Sequence, residues 1–271
     1  MNKNHFELDC IMDLIELQSK NISPKSKGFR QIDHGIYIKT KVHLKNNNEF
    51  GKPQGVYITY DVKNDEKVGA LVCDIKNEIK KLIGGAKRVL VVGIGNDVLL
   101  SDSLGPKVVS NLQIKEGSEI ELYKICPNVA SNTGIDSFDL IKSVTNIVKP
   151  EKIIAIDSLA SRNFSRVGSS FQLSDAGIVP GSGCGKRQQF VLNKESLGVP
   201  VIAIGVPMVV HIKSCLFELL SSIKMEQLNL LNILSSDKLN ALNGVILTPK
   251  EIDLMLEFCA GVLANALNAV I

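Results

Sequence analysis

The pattern of apolar and polar positions predicts two kinds of strand. Residues 35–44 (GIYIKTKVHL) and 55–62 (GVYITYDV) alternate between apolar and polar side chains, which is typical of half-buried strands. Asparagine, glycine and proline lie between these segments, so together they predict a β-hairpin. Apolar residues at helical spacing predict helices over 7–20 and 64–83.

Three later segments are continuously apolar instead of alternating. They are RVLVVGIG (88–95), KIIAIDSLA (152–160) and PVIAIGVP (200–207), and helical segments such as 136–149 flank them. Strands of this kind are typical of a parallel sheet that is buried on both faces. We therefore predict an α/β fold: a three-layer sandwich with a mostly parallel sheet covered by helices, plus an N-terminal β-hairpin extension.

The C-terminal third continues this pattern after a long loop. Residues 172–189 are glycine-rich and lack periodicity, which predicts a functional loop. Residues 212–235 are apolar and predict a helix. A last helix is predicted over 248–271, with Thr248 as N-cap, Pro249 in the first position and Glu251 in the third. The chain is thus predicted to form a single α/β domain with a hairpin subregion (35–62), a sheet core (88–210) and a C-terminal helix (248–271).

Composition narrows the class of protein. The chain has 271 residues, 45% of them hydrophobic and 22% charged, as in globular proteins. A net charge of +3, 5% aromatic residues and no tryptophan argue against direct nucleic-acid binding. No apolar run reaches the roughly 20 residues of a membrane span, and the polar N-terminus is unlike a signal peptide. The six cysteines form no CxxC pair, so we expect reduced thiols and a cytoplasmic protein.

The ends of the apolar segments point to a site. The carboxyl ends of parallel strands meet at one edge of a sheet, where ligands bind in open α/β folds. Asp157 ends the second segment, and Asp102 lies in the loop after the first, so we expect the two carboxylates to converge. Close carboxylates acquire different pKa values and can serve as an acid and a base, here to activate water and protonate a leaving amine.

Other chemistries stay open at this point. A dinucleotide fingerprint would need glycine where Val98 stands. A metal would need more ligands than two carboxylates, and no histidine lies between residues 44 and 210, although His211 could approach in space. No GxSxG segment supports a serine nucleophile, and Cys184 has no evident histidine partner. Asp102 alone could also be a turn residue.

Seven segments in order resemble the spore germination protease family. They are VGIGN (92–96), SDSLGP (101–106), TGIDSFD (133–139), IIAIDSLASR (153–162), QLSDAGIVPGSGCG (172–185), LGVPVIAIGVPMVV (197–210) and LTPKEID (247–253). The resemblance extends from about residue 6 to the C-terminus, and the family is related in fold to the hydrogenase maturation endopeptidases. It implies a homotetrameric endopeptidase of the spore interior that degrades small acid-soluble spore proteins, cutting after Glu and before an apolar residue.

The resemblance also implies site residues. The catalytic carboxylates would be Asp102, matching the family's DALGP stretch, and Asp157, matching AIDALA. No cofactor or metal is expected. Apart from the resemblance, the residues themselves suggest candidates for substrate binding: Asn96, Arg162, Asp175, Gly181, Ser182, Gly183 and Lys186. Backbone groups of the 181–185 loop could stabilise an oxyanion, and Arg162 or Lys186 could pair with the substrate Glu.

The family is made as a zymogen with a short propeptide. HFELDCIMD (5–13) lies where the family is processed, and Glu7–Leu8 is a Glu–apolar bond. We therefore expect residues 1–7 to be a propeptide and 8–271 the peptidase domain.

Two positions depart from the family. Val179 stands where the family has His, and His211 where it has Asp. These departures leave open a divergent member with altered specificity, or an inactive paralogue that binds small spore proteins without cutting them. The other alternative is a nickel-dependent hydrogenase maturation endopeptidase, because in that related family the corresponding carboxylates bind nickel. The absence of a histidine in the loop region, the hairpin and the TPKEID helix favour the spore protease.

Overall fold

Strands and helices alternate through most of the chain. The computed structural model describes residues 9–19, 29–48, 50–64, 68–115, 117–180, 190–222, 242 and 244–271. Within them the strands are β1 (Phe29–Asp33), β2 (Tyr37–Leu44), β3 (Gly55–Val62), β4 (Arg88–Gly93), β5 (Glu121–Ile125), β6 (Lys152–Ser161), β7 (Ser170–Ser174), β8 (Val201–His211) and β9 (Ile246–Leu247). The helices are α1 (Ile11–Ser19), α2 (Val68–Ile83), α3 (Leu104–Ser110), α4 (Ala130–Thr133), α5 (Ser137–Val148), α6 (Lys194–Leu197), α7 (Ile212–Ser222) and α8 (Ile252–Asn268).

The described strands form one nine-stranded sheet in the order β1-β2-β3-β7-β8-β6-β4-β5, with β9 paired to β8. Three neighbouring pairs are parallel: β8–β6, β6–β4 and β4–β5. The β1–β2, β2–β3, β3–β7, β7–β8 and β8–β9 pairs are antiparallel. The predicted α/β class is confirmed, but the sheet is mixed, and its parallel half is the part that carries the predicted carboxylates.

Helices cover both faces of the parallel half. On one face, α2, α3 and α8 pack on alternate residues of β4 and β6, and on the other face α5 packs on the intervening ones. The first set includes Val89, Val91, Ile154 and Ile156; the second includes Leu90, Val92, Ile153 and Ala155. All of these side chains are fully buried, which explains why these strands have no alternation in their sequence.

The predicted hairpin is present and belongs to the same sheet. Strands β2 and β3 pair from Tyr37↔Val62 to Leu44↔Gly55, and β3 then pairs with β7. The hairpin is therefore continuous with the core instead of a separate extension. The link is the short strand β7, whose last three residues, 172–174, were predicted to belong to the 172–189 loop. Its Phe171 and Leu173 are buried against the helices, but five residues are too few to show a period clearly.

The predicted starts of the first and last helices change, and the predicted end of helix 212–235 lies outside the described residues. Helix α1 begins at Ile11, whose N–H donates to the Gln172 side chain, and the predicted start at residue 7 lies outside the described residues. Helix α8 begins at Ile252 with Glu251 as N-cap, so Thr248 is not the cap; its hydroxyl donates to the Met208 carbonyl, 3.2 Å away. Helix α7 is described as far as Ser222, and the rest of predicted helix 212–235 lies outside the described residues.

Candidate active site

Three glycines fix the loop between β4 and α3. A Cβ on Gly93 would lie 2.5 Å from the Gly105 carbonyl oxygen, and one on Gly105 would lie 2.4 Å from the Ile94 nitrogen. Gly95 has φ +121°, and a Cβ there would lie 1.9 Å from the Asp102 carbonyl oxygen. Glycine at these positions allows backbone to touch backbone. Gly93 and Gly95 therefore bring the Asp102 loop against the end of β4.

Asp102 ends a short turn of 3₁₀ helix, Leu100–Asp102, and is half-buried. The Asn96 N–H donates both to the Asp102 carbonyl, at 3.0 Å, and to its Oδ2, at 2.9 Å. The Asn96 side chain is held in turn: its Oδ1 accepts from the Val98 N–H at 3.0 Å and from Asn132 Nδ2 at 3.2 Å. The carboxylate of Asp102 thus has a defined position at the tip of β4.

Asp157 lies where β6 extends beyond β4. The β4–β6 pairing ends at Gly93↔Ile156, whereas β6 continues to Ser161 against β8, with Asp157 opposite Gly205. Asp157 is only 4% exposed, and its Oδ1 accepts from the Ser158 N–H at 2.9 Å. A Cβ on Gly105 would lie 2.5 Å from the Ile156 carbonyl oxygen, so the segment that carries Asp102 touches the residue before Asp157. Both carboxylates therefore lie at the same edge of the sheet.

The end of β6 is also bound by the N-terminal segment. The Asp9 N–H donates to the Ala160 carbonyl at 3.4 Å, and the Ala160 N–H donates to Asp9 Oδ2 at 3.0 Å. The carbonyl of Asp9 accepts from the Gln172 side chain of β7 at 3.5 Å. The first described residues of the chain are thus held three residues along β6 from Asp157.

A buried ion network anchors α1 at the same place. The Asp13 carboxylate is almost inaccessible and accepts from the Ser161 hydroxyl at 2.8 Å, from the Arg162 N–H at 2.7 Å and from the Arg166 guanidinium. Arg166 also binds Glu16 of α1. Burial raises the pKa of Asp13 above its ordinary value, and Arg166 and the hydrogen bonds oppose that shift.

A largely apolar groove is lined by Leu159 of β6 and by Gly205 of β8, and Gly205 is the residue that pairs with Asp157 in the sheet. Its enclosed volume is about 60 Å³. Gly205 is needed here because a Cβ would lie 2.6 Å from the Leu159 side chain. The remaining lining residues are Asp9, Lys52, Pro53, Tyr57, Gln172, Ser174, Gly177, Ile178, Val179, Val191, Ala203 and Ile204.

Comparison with known proteins shows the family to which this chain belongs. Residues 17–222 match the model of the germination protease family, a span that contains β4, β6 and both carboxylates. The chain belongs to the germination protease family. It is 33% identical to the germination protease of Caldanaerobacter subterraneus subsp. tengcongensis over 96% of this chain and 92% of that protein. It is 31% identical to that of Clostridium acetobutylicum over 87% of this chain and 88% of that protein.

A further relative matches more closely over a shorter length. The germination protease of Bacillus subtilis is 39% identical over 68% of this chain and 56% of that protein. Family membership identifies the chain as a peptidase that acts in spore germination, with protein as its substrate. Among solved structures, a NiFe hydrogenase maturation protease from Thermococcus kodakarensis matches 48% of this chain and 80% of its own, with 19% identity and a TM-score of 0.34. That similarity is too low to indicate a shared activity.

The predicted substrate-binding residues have different positions. Asn96 is bonded to Asp102, as described above. Arg162 follows β6 but is buried, and its guanidinium stacks 4.8 Å from the Phe217 ring centroid. Asp175 accepts from the Val56 N–H at 2.7 Å and extends the β3–β7 pairing. It lies three residues beyond Gln172, the partner of Gly205, which places it roughly 10 Å along the strand from the edge with Asp157.

The other predicted residues lie outside the described part of the chain. They are Gly181, Ser182, Gly183 and Lys186 of the glycine-rich loop, and Glu7 and Leu8 of the predicted processing site. Val179, one of the two departures from the family, lines the groove. His211, the other, ends β8, and its Nε2 is buried without a hydrogen-bond partner among the described residues.

Sequence analysis missed the role of the N-terminal acids. Asp9 and Asp13 appeared as polar positions of a helix, whereas both bind the end of β6. The only available signal was an acidic residue on the apolar side of a short helix, close in sequence to Cys10 and Met12, which are buried.

Within the described ranges, no group of three or more His, Cys, Asp or Glu side chains is arranged to hold a metal ion. Likewise, none of the helices in those ranges has the length and apolar character needed to cross a membrane.

Proposed function

We propose that this chain is an endopeptidase that degrades small acid-soluble spore proteins during germination, using Asp102 and Asp157 to activate water. The observation that carries the proposal is their common position, at the point where β4 ends and β6 continues. Backbone N–H groups hold the two carboxylates in place, and a groove lies nearby. Hydrolysis of a peptide bond by water requires an acid, a base and a place for the substrate, which these elements can provide.

In the proposed reaction the two carboxyl groups hold one proton between them. The ionised group takes a proton from a water molecule, whose oxygen attacks the scissile carbonyl carbon. The protonated group then donates its proton to the departing amine as the C–N bond breaks. The products are a carboxylic acid, which then gives its proton to the released amine, and the pair returns to its starting charge with the shared proton on the other carboxyl group. Acid–base assistance of this kind contributes about 10² to 10⁴ in rate.

The groove supplies a place for a substrate side chain. Its apolar lining includes Leu159, Ile178 and Val191, and Gly205 at its floor lies opposite Asp157 in the sheet. An apolar side chain next to the cleaved bond would be buried there, which suits a cut between Glu and an apolar residue. Binding of the Glu by the 181–186 loop remains part of the proposal.

Self-processing at Glu7–Leu8 is a second part of the proposal. It is supported by Asp9, two residues after that bond, because its main chain is hydrogen-bonded to Ala160, three residues after Asp157. Intact-mass measurement of the purified chain should show loss of residues 1–7, and Glu7→Gln should block it. A fully active chain that retains residues 1–7 would contradict this part.

The test of the main proposal uses isosteric variants. Asp102→Asn and Asp157→Asn remove an ionisable group without changing size, and each should lower kcat at least about 10³-fold on a small acid-soluble spore protein. Asp97→Asn is the matched control, because Asp97 lies in the same loop and its Oδ1 accepts a hydrogen bond from Asn128 Nδ2 at 2.7 Å, away from Asp102. Wild type and the control should yield fragments that end in Glu, identified by mass spectrometry.

Other outcomes separate the alternatives. A wild-type chain that retains intact substrate on a column without cutting it would identify a binding paralogue. Cleavage of a hydrogenase precursor tail, with nickel in the protein, would identify a maturation endopeptidase. Light scattering would test the homotetramer, and fractionation of spores would test the proposed location in the spore cytoplasm.

A further inference from the structure

The groove lies on the same face of the sheet as the Asp157 side chain. Gln172 pairs with Gly205, and Gly205 pairs with Asp157, so these residues form one row across β7, β8 and β6. Residues opposite each other in neighbouring strands direct their side chains to the same face. Gly205 and Gln172 both line the groove, and at the usual strand spacing they lie about 5 and 10 Å from Asp157. A substrate side chain close to the cut bond can therefore reach the groove.

Lys52 lines the same groove from the loop between β2 and β3. Its carbonyl accepts from the Asn48 side chain at 2.7 Å, and the carbonyl of Pro53 accepts from the Tyr57 hydroxyl at 3.0 Å. Tyr57 is buried in β3, so these two bonds hold the loop against the sheet. Lys52 is consequently a half-buried cation with a defined place in the groove.

The ammonium group of Lys52 forms no ion pair within the described part of the chain. By contrast, Lys39, which is also half-buried, binds Asp74 at 2.6 Å and Glu78 at 3.1 Å. Removing a charge from water is costly unless the charge is paired. A carboxylate that entered the groove would supply the missing partner through a charge-assisted hydrogen bond.

An acidic residue of the chain itself already lines this groove. Asp9 lies against the end of β6, where its N–H donates to the Ala160 carbonyl at 3.4 Å and its Oδ2 accepts from the Ala160 N–H at 3.0 Å. The Asp9 carbonyl accepts from the Gln172 side chain at 3.5 Å. Main-chain bonds to a strand end, with a carboxylate beside them, are the contacts that an extended acidic peptide would make. The groove thus suits an acidic peptide.

We propose that Lys52 binds an acidic side chain of the protein substrate within three residues of the cut bond, which rests on the peptidase function proposed above. The 5–10 Å from Asp157 to the groove floor corresponds to about three residues of extended chain at most. The apolar wall of the groove packs on the methylene groups of that side chain, and its carboxylate accepts from the Lys52 ammonium. Asp9 leaves the groove when the substrate enters.

This pairing makes Lys52 a specificity-determining residue. A neutral side chain of the same shape would leave the ammonium group without a partner, so the enzyme discriminates Glu from Gln at that position. The ion pair forms when the substrate binds and persists in the transition state. Its loss should therefore raise KM and leave kcat nearly unchanged.

The test uses synthetic peptides with one cleavable bond before Leu. Glu or Gln is placed in turn at each of the three positions before that bond and at the second and third positions after it. At one of these positions wild type should prefer Glu about 30-fold in kcat/KM, mainly through KM. Lys52→Met keeps the aliphatic stem but removes the charge, and should reduce this preference to less than about threefold. Lys52→Arg should retain it.

Lys45→Met is the matched control. Lys45 lies in the same loop, and its carbonyl also accepts from Asn48 Nδ2, at 2.9 Å, but its side chain is exposed and is not among the residues that line the groove. This variant should keep the wild-type preference for Glu. The Tm of Lys52→Met should change by less than about 2 °C, because no ion pair is broken.

The outcomes separate the two proposals. A preference for Glu that Lys52→Met leaves unchanged at every position overturns the role of Lys52, while cleavage that still requires Asp102 keeps the peptidase function. An equal loss on Glu and Gln peptides also overturns this role, since it would reflect altered packing. So does a loss that disappears when Asp9→Asn is added, because Lys52 would then act on the N-terminal segment. A wild-type chain that cuts none of the peptides overturns both proposals.

Discussion

Gly95→Ala tests whether the placement of Asp102 depends on the glycine loop. The added Cβ would lie 1.9 Å from the Asp102 carbonyl oxygen, and real Cβ contacts are essentially never below 3.0 Å. The two groups must therefore separate by at least 1.1 Å (3.0 minus 1.9). The backbone of Gly95, at φ +121°, adds strain of about 1–3 kcal/mol for any other residue.

This displacement should weaken both bonds from the Asn96 N–H to Asp102, which are 2.9 and 3.0 Å long. A reacting group misplaced by about 1 Å costs roughly 10²-fold in rate. We therefore expect Gly95→Ala to lower kcat/KM on a small acid-soluble spore protein about 100-fold. The free energy of unfolding should fall by about 2–4 kcal/mol, the strain plus roughly one lost hydrogen bond.

The matched control is Gly84→Ala. Gly84 has φ +63°, and a Cβ there would meet nothing within 4 Å. Alanine at this position would therefore have backbone strain of about 1–2 kcal/mol but no steric clash. The kcat/KM of Gly84→Ala should equal that of wild type, and urea titrations should show a smaller loss in the free energy of unfolding than for Gly95→Ala. A Gly95→Ala enzyme with wild-type kcat/KM would refute the prediction that this loop positions Asp102 for the proposed reaction.

Two other predictions concern stability and thiol chemistry. Arg166→Met leaves the buried Asp13 carboxylate without its cation and should lower the free energy of unfolding by about 3–5 kcal/mol at pH 8, whereas Lys63→Met, which breaks an exposed pair, should cost less than about 1 kcal/mol. Burial raises the pKa of Asp13 in the folded protein, so the folded variant binds more protons than its unfolded chain, and its free energy of unfolding falls as pH rises. Urea titrations should therefore show a smaller difference from wild type at pH 5 than at pH 8. An equal difference at both pH values would contradict this prediction. Cys73 is exposed and should react with iodoacetamide in the native state. Burial raises the pKa of Cys259 to about 12, so this thiol should react only after unfolding. Peptide mass mapping of the labelled protein would show which cysteine is modified.

Local sequence predicted the parallel half of the sheet well. Strands β4, β6 and β8 are buried on both faces, and burial on both faces requires continuous apolar segments that are visible without a structure. Because parallel strands end at the same edge, the positions of Asp102 and Asp157 at that edge also followed from the sequence.

The antiparallel half was predicted less completely. Strands β1 and β7 have five residues each, which is too short for a period to be distinguished from a loop. Their existence depends on partners elsewhere: β7 is a strand because β3 and β8 lie on either side of it. Likewise, Thr248 matches the pattern of an N-cap, but contact with Met208 places it outside the helix.

The sequence alone therefore specified the local strands and helices and the edge at which the two aspartates lie, since these depend on periodicity and on strand direction. Tertiary structure was needed for the contacts between distant segments. Asp13 and Arg166 are 153 residues apart, and Asp9 and Ala160 are 151 apart, yet these pairs join the N-terminal segment to the end of β6. No local pattern encodes such pairs, because each side chain is ordinary in its own segment and acquires its role only when the chain brings its partner into contact.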